Sequence, residues 1–390
     1  MKKIKKVIAL LILSTCILVG CGEEINPSQT DSSESFTANE DTTETIDYTQ
    51  LKNGERIVVQ INDDVSLDAE VIIPEEGVDA IETCHVRAVG YEGQEYASRF
   101  HLDTPLEEWE CWDSDGGYGP EKIYAYSGQI HVGDTMMDGG IQLAFELSVG
   151  TEHWSHCDDY FYTYGSNGET IAFEGYSVDE NLPFMTKTEA MAFGKAYLED
   201  EIGMERVEPI QIYSYSHEGL AQYQLELYNE IDPNMMAKPQ EIELTEWTDA
   251  DDCYLIEYEH YFGNLPLLST SVIRKDDAYM PLGISYVGCT KNGVEYVMAE
   301  PNYVLMDSKK TEFAPLERIF EELKRKFDMA ITGKITLDEM KLIYFPFPTQ
   351  VDPDYPYEFD LLPVWQFRFS QGAYKENVYI NAADGNEVSF

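Results

Sequence analysis

Positive charge is what this chain has least of: 26 Lys+Arg stand against 73 Asp+Glu over 390 residues, a formal net charge of −47. A surface this acidic repels the phosphates of DNA or RNA, so nucleic-acid binding is excluded. Long apolar runs are missing as well. Val7 to Leu13 and Cys16 to Val19 form the chief one, too short for the ~20 apolar residues of a membrane-spanning helix. No C-x-x-C occurs, which removes the commonest zinc and redox signatures. The nearest approach to G-x-S-x-G, Gly283-Ile284-Ser285-Tyr286-Val287-Gly288, is one residue too long for a nucleophile elbow. H-E-x-x-H fails after His217-Glu218, which continues Gly219-Leu220-Ala221, and there is no phosphate-binding glycine loop. The expectation is a protein that is not an enzyme and carries no cofactor. What is abundant is aromatic surface: 27 Tyr, 17 Phe and 5 Trp supply a core that a disordered chain would not carry.

The first twenty residues have the layout of an export signal, with Lys2, Lys3, Lys5 and Lys6 ahead of the apolar run. The run ends Leu18-Val19-Gly20-Cys21, which resembles the lipobox of bacterial lipoproteins. That resemblance implies cleavage before Cys21 and attachment of diacylglycerol to its sulfur, anchoring the chain to the membrane on its extracytoplasmic side. Gly22 to Gln50 follow with ten Ser/Thr, eight Asp/Glu and no Lys or Arg. Segment 21–50 therefore reads as the lipidated cysteine and a disordered, self-repelling acidic tether. Five cysteines remain beyond Cys21: Cys84, Cys111, Cys157, Cys253 and Cys289. An odd number forbids a complete disulfide framework, and buried free thiols are expected, with one or two disulfides as the alternative.

The fold class expected is α+β, in three parts. Residues 51–183 read as a β-rich domain: Arg56 to Ile61 and Leu67 to Ile73 are β-branched and partly alternating, with Asn62-Asp63-Asp64 as the turn between them. Further runs at Lys122–Tyr126, Gln142–Val149 and Tyr160–Tyr164 continue the pattern, and a single helix is expected near Gln94–Leu102. Residues 184–305 open with a capping box, Thr186-Lys187-Thr188-Glu189, ahead of apolar residues at helical spacing. Strands are expected after it at Ile210–Tyr215, Gln222–Tyr228, Tyr254–Tyr261 and Leu267–Ile273. Residues 306–390 repeat the order. Leu316, Ile319, Phe320, Leu323 and Phe327 make one helix stripe. Met340, Leu342 and Tyr344 then alternate, a Pro-rich loop spans Pro346 to Pro356, Trp365, Phe367 and Phe369 share a strand face, and Asp384-Gly385 makes a tight turn.

Leu362-Pro363-Val364-Trp365-Gln366-Phe367, followed by Val378-Tyr379-Ile380-Asn381-Ala382-Ala383-Asp384-Gly385-Asn386-Glu387-Val388, resembles the C-terminal signature of PepSY-type domains. In those domains a P-V-W strand pairs with an I-N-A-x-x-G-E-V strand. The chain is most similar to membrane-tethered regulators of the YycH/YycI type, and Tyr258 to Leu267 is similar to the strand of an earlier repeat. The resemblance implies two tandem PepSY-like units, 184–305 and 306–390, and a non-catalytic binding or regulatory role toward an envelope protein. The family turn reads Thr-Gly-Glu where this chain has Asp384-Gly385-Asn386-Glu387.

Two local clusters offer other chemistry. His153-Trp154-Ser155-His156-Cys157-Asp158-Asp159 sets His153, His156 and Cys157 close enough to contribute zinc or copper ligands, with Cys84, His85, His101 or Cys111 completing a site after folding. This is the metal-binding or metalloenzyme alternative. Trp109, Trp112 and Tyr118, near Tyr124 and Tyr126, could stack on sugar rings, which is the small-ligand or glycan-binding alternative; the competing reading makes them core. Asp113-Ser114-Asp115-Gly116-Gly117 resembles the start of a calcium loop but has glycine at the fifth ligand position. Tyr254, Tyr258, Tyr261, Trp365 and Phe367 are expected to pack against the helices.

Overall fold

In the computed structural model the described residues are 36–37, 48–89, 110–116, 119–126, 130–137, 141–149, 162–164, 170–172, 177–230, 246–268, 270–275, 278–282, 284–300, 302–328, 334–350, 358–371 and 374–388. Strands dominate. In chain order they are β1 (Phe36–Thr37), β2 (Arg56–Gln60), β3 (Val65–Ile72), β4 (Glu82–Val89), β5 (Glu110–Gly116), β6 (Gly119–Tyr126), β7 (Ile130–Met137) and β8 (Ile141–Val149). Then come the short β9 (Tyr162–Tyr164) and β10 (Thr170–Ala172), helix α1 (Lys187–Ala196), β11 (Val207–Tyr215) and helix α2 (His217–Glu230). They are followed by β12 (Cys253–Phe262), β13 (Leu265–Pro266), β14 (Thr270–Lys275), β15 (Ala278–Leu282), β16 (Ser285–Thr290), β17 (Gly293–Ala299) and β18 (Asn302–Lys310). Helix α3 (Leu316–Phe327), β19 (Ile335–Gln350), β20 (Glu358–Gln371) and β21 (Tyr374–Asn381) complete the set. The fold is mostly β with few helices, consistent with an α+β class.

The strands fall into two large sheets, one nested inside the other along the chain. The outer sheet runs β1-β2-β3-β19-β20-β4-β18, with β21 also paired to β20. The inner sheet runs β11-β12-β16-β17-β8-β7-β6-β5. The expected boundaries at 183/184 and 305/306 are therefore not sheet boundaries. Strands β2 to β4 of the segment read as one β-rich domain join the C-terminal strands, and β5 to β8 join the inner sheet. Parallel pairing of β3 with β19 brings residues such as Val65 and Ile335 together. Alternation specifies which face of a strand is apolar, but no local pattern specifies a partner 270 residues away. Within the segment expected to be a tether, Phe36 and Thr37 pair with Ile57 and Val58, and the Tyr48 ring lies 5.3 Å from that of Phe313.

The outer core is apolar. Leu316, Ile319, Leu323 and Phe327 of α3 are buried together with Leu337, Met340, Leu342, Trp365, Phe367 and Phe369. The P-V-W strand does pair with the I-N-A strand, Trp365 facing Ile380 and Val364 facing Asn381. The Pro-rich loop is shorter than expected because β19 continues through Pro346 and Pro348, paired with Leu361 and Phe359 of β20. Tyr344 accepts a hydrogen bond from Leu268, so its backbone points away from β20, and prolines two and four residues later turn their missing N–H the same way. No ladder bond to β20 is lost.

The inner sheet carries helices on both faces. Leu198 and Ile202, in the π-turn that extends α1, pack with Ala190, Tyr254, Ile256 and Tyr258. Leu220 of α2 packs with Tyr213, Tyr215, Leu255 and Tyr286. The capping box forms as expected: Thr186 accepts from the Glu189 amide while Glu189 accepts from the Thr186 amide. Gln222–Tyr228, expected as a strand, is the middle of α2. Its alternating Tyr223, Leu225 and Leu227 imitate a strand, but Gln, Leu and Glu are good helix formers and Ser216 accepts the Gly219 amide at the helix start. No described helix is long and apolar enough to cross a membrane.

Candidate functional site

The surface that stands out lies at the β18 end of the outer sheet. Along β4 the burial alternates, Cys84, Val86 and Ala88 inward and Thr83, His85 and Arg87 outward. The first residues of β20 lie alongside, placing Asp360 opposite His85 and Glu358 opposite Arg87. His85 Nδ1 is 2.9 Å from Asp360 Oδ1 and its Nε2 is 3.2 Å from Glu358 Oε2, while Arg87 Nη2 donates to Glu358 Oε1 at 2.8 Å. The Asp360 hydrogen bond, helped by Glu358 and opposed by desolvation, raises the His85 pKa above its ordinary value. Glu358 is held below the usual carboxylate range, first by Arg87. With a carboxylate on each ring nitrogen, an arrangement that favours the imidazolium, His85 clamps two strands together; to act as a base or metal ligand it would first have to give up a partner.

Beside β4 lies β18, the last strand in the order of this sheet, with Val304 opposite Arg87 and Asp307 opposite His85. A register shift between Leu305 and Asp307 breaks the alternation, and three consecutive apolar residues emerge: Val304 (49% exposed), Leu305 (51%) and Met306 (47%). Among the described residues no strand pairs with the far side of β18. Such an edge offers unpaired backbone groups and apolar contact to an extended segment. The exposed Lys309 and Lys310 close one end of it, as lysines commonly do at sheet edges, and leave 304–306 open.

Two more polar groups mark joints of the fold. Asp252, buried, accepts from the His217 amide, and its Oδ1 lies 2.8 Å from His217 Nδ1, pinning the first turn of α2 to the start of β12. His260 of β12 is buried, its ring 6.1 Å from that of Tyr303 on β18, and its Nδ1 has no hydrogen-bond partner among the described residues. Burial lowers its pKa to about 4. Lys341 of β19 pairs with Glu259 of β12 across the same joint.

Of the residues singled out from the sequence, Cys21, His153, His156, Cys157, Trp109 and Tyr118 lie outside the described residues, as does the helix expected near 94–102. Trp112 lies in β5 with Ile123 as its cross-strand partner, and Cys111 pairs with Tyr124. The calcium-loop reading is overturned: Asp113 to Gly116 are extended strand, Asp113 opposite Lys122 and Gly116 opposite Gly119 of β6, so the backbone does not make the required loop. Cys84, Cys253 and Cys289 are buried, as expected of thiols that pack. Cys84 faces the core, where its sulfur is 3.8 Å from Tyr344 Oη, whereas His85 faces outward, so these neighbours do not converge on one ion. Among the described residues no group of three His, Cys, Asp or Glu side chains is placed to hold one metal ion. Tyr254, Tyr258, Trp365 and Phe367 are core as expected, while Tyr261 is half-buried under the Arg206 guanidinium, 4.2 Å above its ring. The β18 edge and the His85 clamp went unread because both arise from pairings between distant segments.

No family model and no curated protein matches this chain. Among solved structures it is similar to an uncharacterized protein from Eubacterium rectale ATCC 33656, with a TM-score of 0.55 and 12% identity, covering 87% of this chain and 94% of that one. That likeness shows a shared fold extending over both sheets.

Proposed function

We propose that this chain is an extracytoplasmic lipoprotein, held to the cell membrane by diacylglycerol on Cys21, that acts as a non-catalytic binding or regulatory module for an envelope protein. Regions 184–305 and 306–390 are its PepSY-like units; the pairing of Trp365 with Ile380 supports the second. The observation that carries the binding role is the open edge of β18, where Val304, Leu305 and Met306 are all about half exposed. The occupant is an extended segment of the partner that adds to β18 by backbone hydrogen bonds and covers the three apolar side chains. A photo-crosslinking residue at position 305 of the full chain in its native membranes tests this, with position 53, near the opposite edge of the sheet, as control. One envelope protein captured from 305 and not from 53 is the expected result. Equal capture from both positions, or none from 305, overturns the reading.

A further inference from the structure

The few cations of this acidic chain are unevenly placed: Arg318, Lys324, Arg325 and Lys326 all lie on the twelve-residue helix α3. Seven residues separate the two arginines, which puts them on one helix face about 10 Å apart along the axis. Between them runs the turn after β21, and the walls enclose an open cleft of about 470 Å³ lined by Arg318, Glu322, Arg325, Asn386 and Glu387.

Each carboxylate in the cleft is already engaged. Glu322 is buried and takes Arg325 with both oxygens, Nε at 2.9 Å and Nη2 at 2.5 Å, and also lies 3.4 Å from the Glu387 amide. The Arg325 hydrogen bond, the largest contribution, keeps its pKa below the usual carboxylate range. Glu387 is paired with Lys326. Arg318 Nη2 donates to Asn386 Oδ1 at 3.0 Å, and its Nη1 makes only a long 3.9 Å contact to the exposed Glu321. The polar groups left at the cleft are the remaining N–H donors of the two guanidiniums and the Asn386 amide nitrogen, beside one carboxylate oxygen, Glu387 Oε2, which lies 3.8 Å from Arg325 Nη2. The lining sets Arg318 and Arg325 against Glu322 and Glu387, with Lys326 beside it on Glu387, so the cleft is close to neutral where the whole chain is strongly negative.

The donors are also held in place. Gly385 has φ +70°, and a Cβ there would come within 2.5 Å of Arg318 Cγ, so the arginine stem lies directly on the glycine backbone. The turn is fixed by the Asn386 amide donating to Asp384 Oδ1 at 2.9 Å and by the Gly385 amide donating to Asn381 O at 2.9 Å. Ordering costs that a flexible lysine cluster would meet on binding are largely met here by the fold.

We propose that this cleft is a binding site for a single compact oxyanion, a phosphate or carboxylate group carried by a small ligand, seated between Arg318 and Arg325 with Asn386 as third donor. Geometry of the guanidinium fork suits either group. Charge limits its size: the −47 of the chain repels a polyanion at long range, whereas one or two negative charges meet mainly the local guanidiniums. This site does not depend on the β18 reading and lies on other residues.

The test uses the full chain and two probes, inorganic phosphate and succinate, titrated calorimetrically at matched ionic strength against chloride. Arg318→Gln is the main variant, because it removes a guanidinium whose partners are exposed and leaves the Arg325–Glu322 pair intact. Asn386→Ala is the second, and Lys310→Gln on β18 is the control. Saturable binding of at least one probe, weakened about tenfold or more by Arg318→Gln and unchanged by Lys310→Gln, is the expected outcome. Phosphate alone would narrow the ligand to phosphate esters, and succinate alone to carboxylates. No saturable binding of either probe, or equal binding by wild type and Arg318→Gln, overturns the proposal. If Arg318→Gln fails to fold, loss of binding in folded Asn386→Ala supports the site and full binding there overturns it.

Discussion

Helix α3 on the outer sheet and helix α1 on the inner sheet solve one problem in two ways. Leu316, Ile319, Leu323 and Phe327 of α3 meet Trp365, Phe367 and Phe369 with apolar groups alone, the Phe327 and Phe369 rings edge-on at 6.0 Å. Under α1 the contact is made by tyrosines that also donate: Tyr254 Oη to the Met185 carbonyl at 2.7 Å and Tyr258 Oη to the Met191 carbonyl at 2.8 Å. Tyr254 Oη in addition accepts the Leu182 amide at 2.6 Å. Apolar packing tolerates small slides at nearly constant energy, but a hydroxyl bonded to a backbone carbonyl is stretched by them. Toward its sheet the inner helix is positioned by direction and the outer one by volume, the polar bonds of α3 running instead to the turn after β21.

The largest expected effect breaks the outer packing. Leu323 is fully buried, so Leu323→Ala removes apolar area and leaves a cavity, a loss of about 2–5 kcal/mol. Urea unfolding of the full chain checks it. A midpoint unchanged from wild type would mean that α3 does not hold the outer sheet.

Acid should act at the joint between the two regions. His260 is the cross-strand partner of Val207 on β11, its ring lies 6.1 Å from that of Tyr303 on β18, and its chain neighbour Glu259 is paired with Lys341. Its folded pKa of about 4 lies below its ordinary 6.5. The unfolded chain therefore takes up the proton first, and stability is complete above about pH 6.5 and falls toward pH 4 by up to about 1.4 kcal/mol per pH unit. His85 has the opposite sign. Its raised pKa gives stability that is present below its ordinary value and is lost as pH rises through the raised one. Stability against pH for wild type, His260→Phe and His85→Asn separates them: His260→Phe should flatten the limb that falls toward acid, and His85→Asn the limb that falls as pH rises past the ordinary histidine value.

Steric fit under α1 comes next. A Cβ on Gly194 would sit 2.2 Å from Tyr258 Oη and 3.1 Å from its Cζ, so Gly194→Ala should cost about 1–3 kcal/mol although alanine favours helix. Removing the hydroxyl by Tyr258→Phe costs about 1 kcal/mol alone through its hydrogen bond. In the double variant the worst clash is gone, so the two losses should add to more than the measured total. Strict additivity in that cycle would remove the direct contact from the argument.

What could be read in advance follows the same division. The α3 stripe and the Trp365, Phe367 and Phe369 face were legible because volume-driven packing writes itself as periodicity, and the Thr186–Glu189 box because capping is local. Tyr254 and Tyr258 were legible as core but not as donors, since their acceptors are backbone carbonyls of another element. The partners of β2 to β4, the His85 clamp and the cleft between Arg318 and Arg325 were not legible. Each joins segments far apart in sequence, as when Asp360 meets His85, and pairing of that kind is decided by the whole core. Even α2 went the other way, because alternating Tyr223, Leu225 and Leu227 satisfy both a strand and a helix.

The smallest effect sharpens the contrast at the helix starts. α1 begins with a reciprocal cap: Thr186 Oγ1 accepts the Glu189 amide at 3.2 Å and Glu189 Oε2 accepts the Thr186 amide at 3.0 Å. α3 begins at Pro315, which offers no side-chain acceptor. Thr186→Ala should therefore cost about 1 kcal/mol, most of it as fraying of the first turn. Hydrogen exchange reads this locally. Amides at the start of α1 should lose protection while those of α3, held by Leu316, Ile319 and Leu323, keep theirs. If both helices lost protection together, the two sheets would open as one cooperative unit, and the cap would be felt through the joint at His260 and Tyr303.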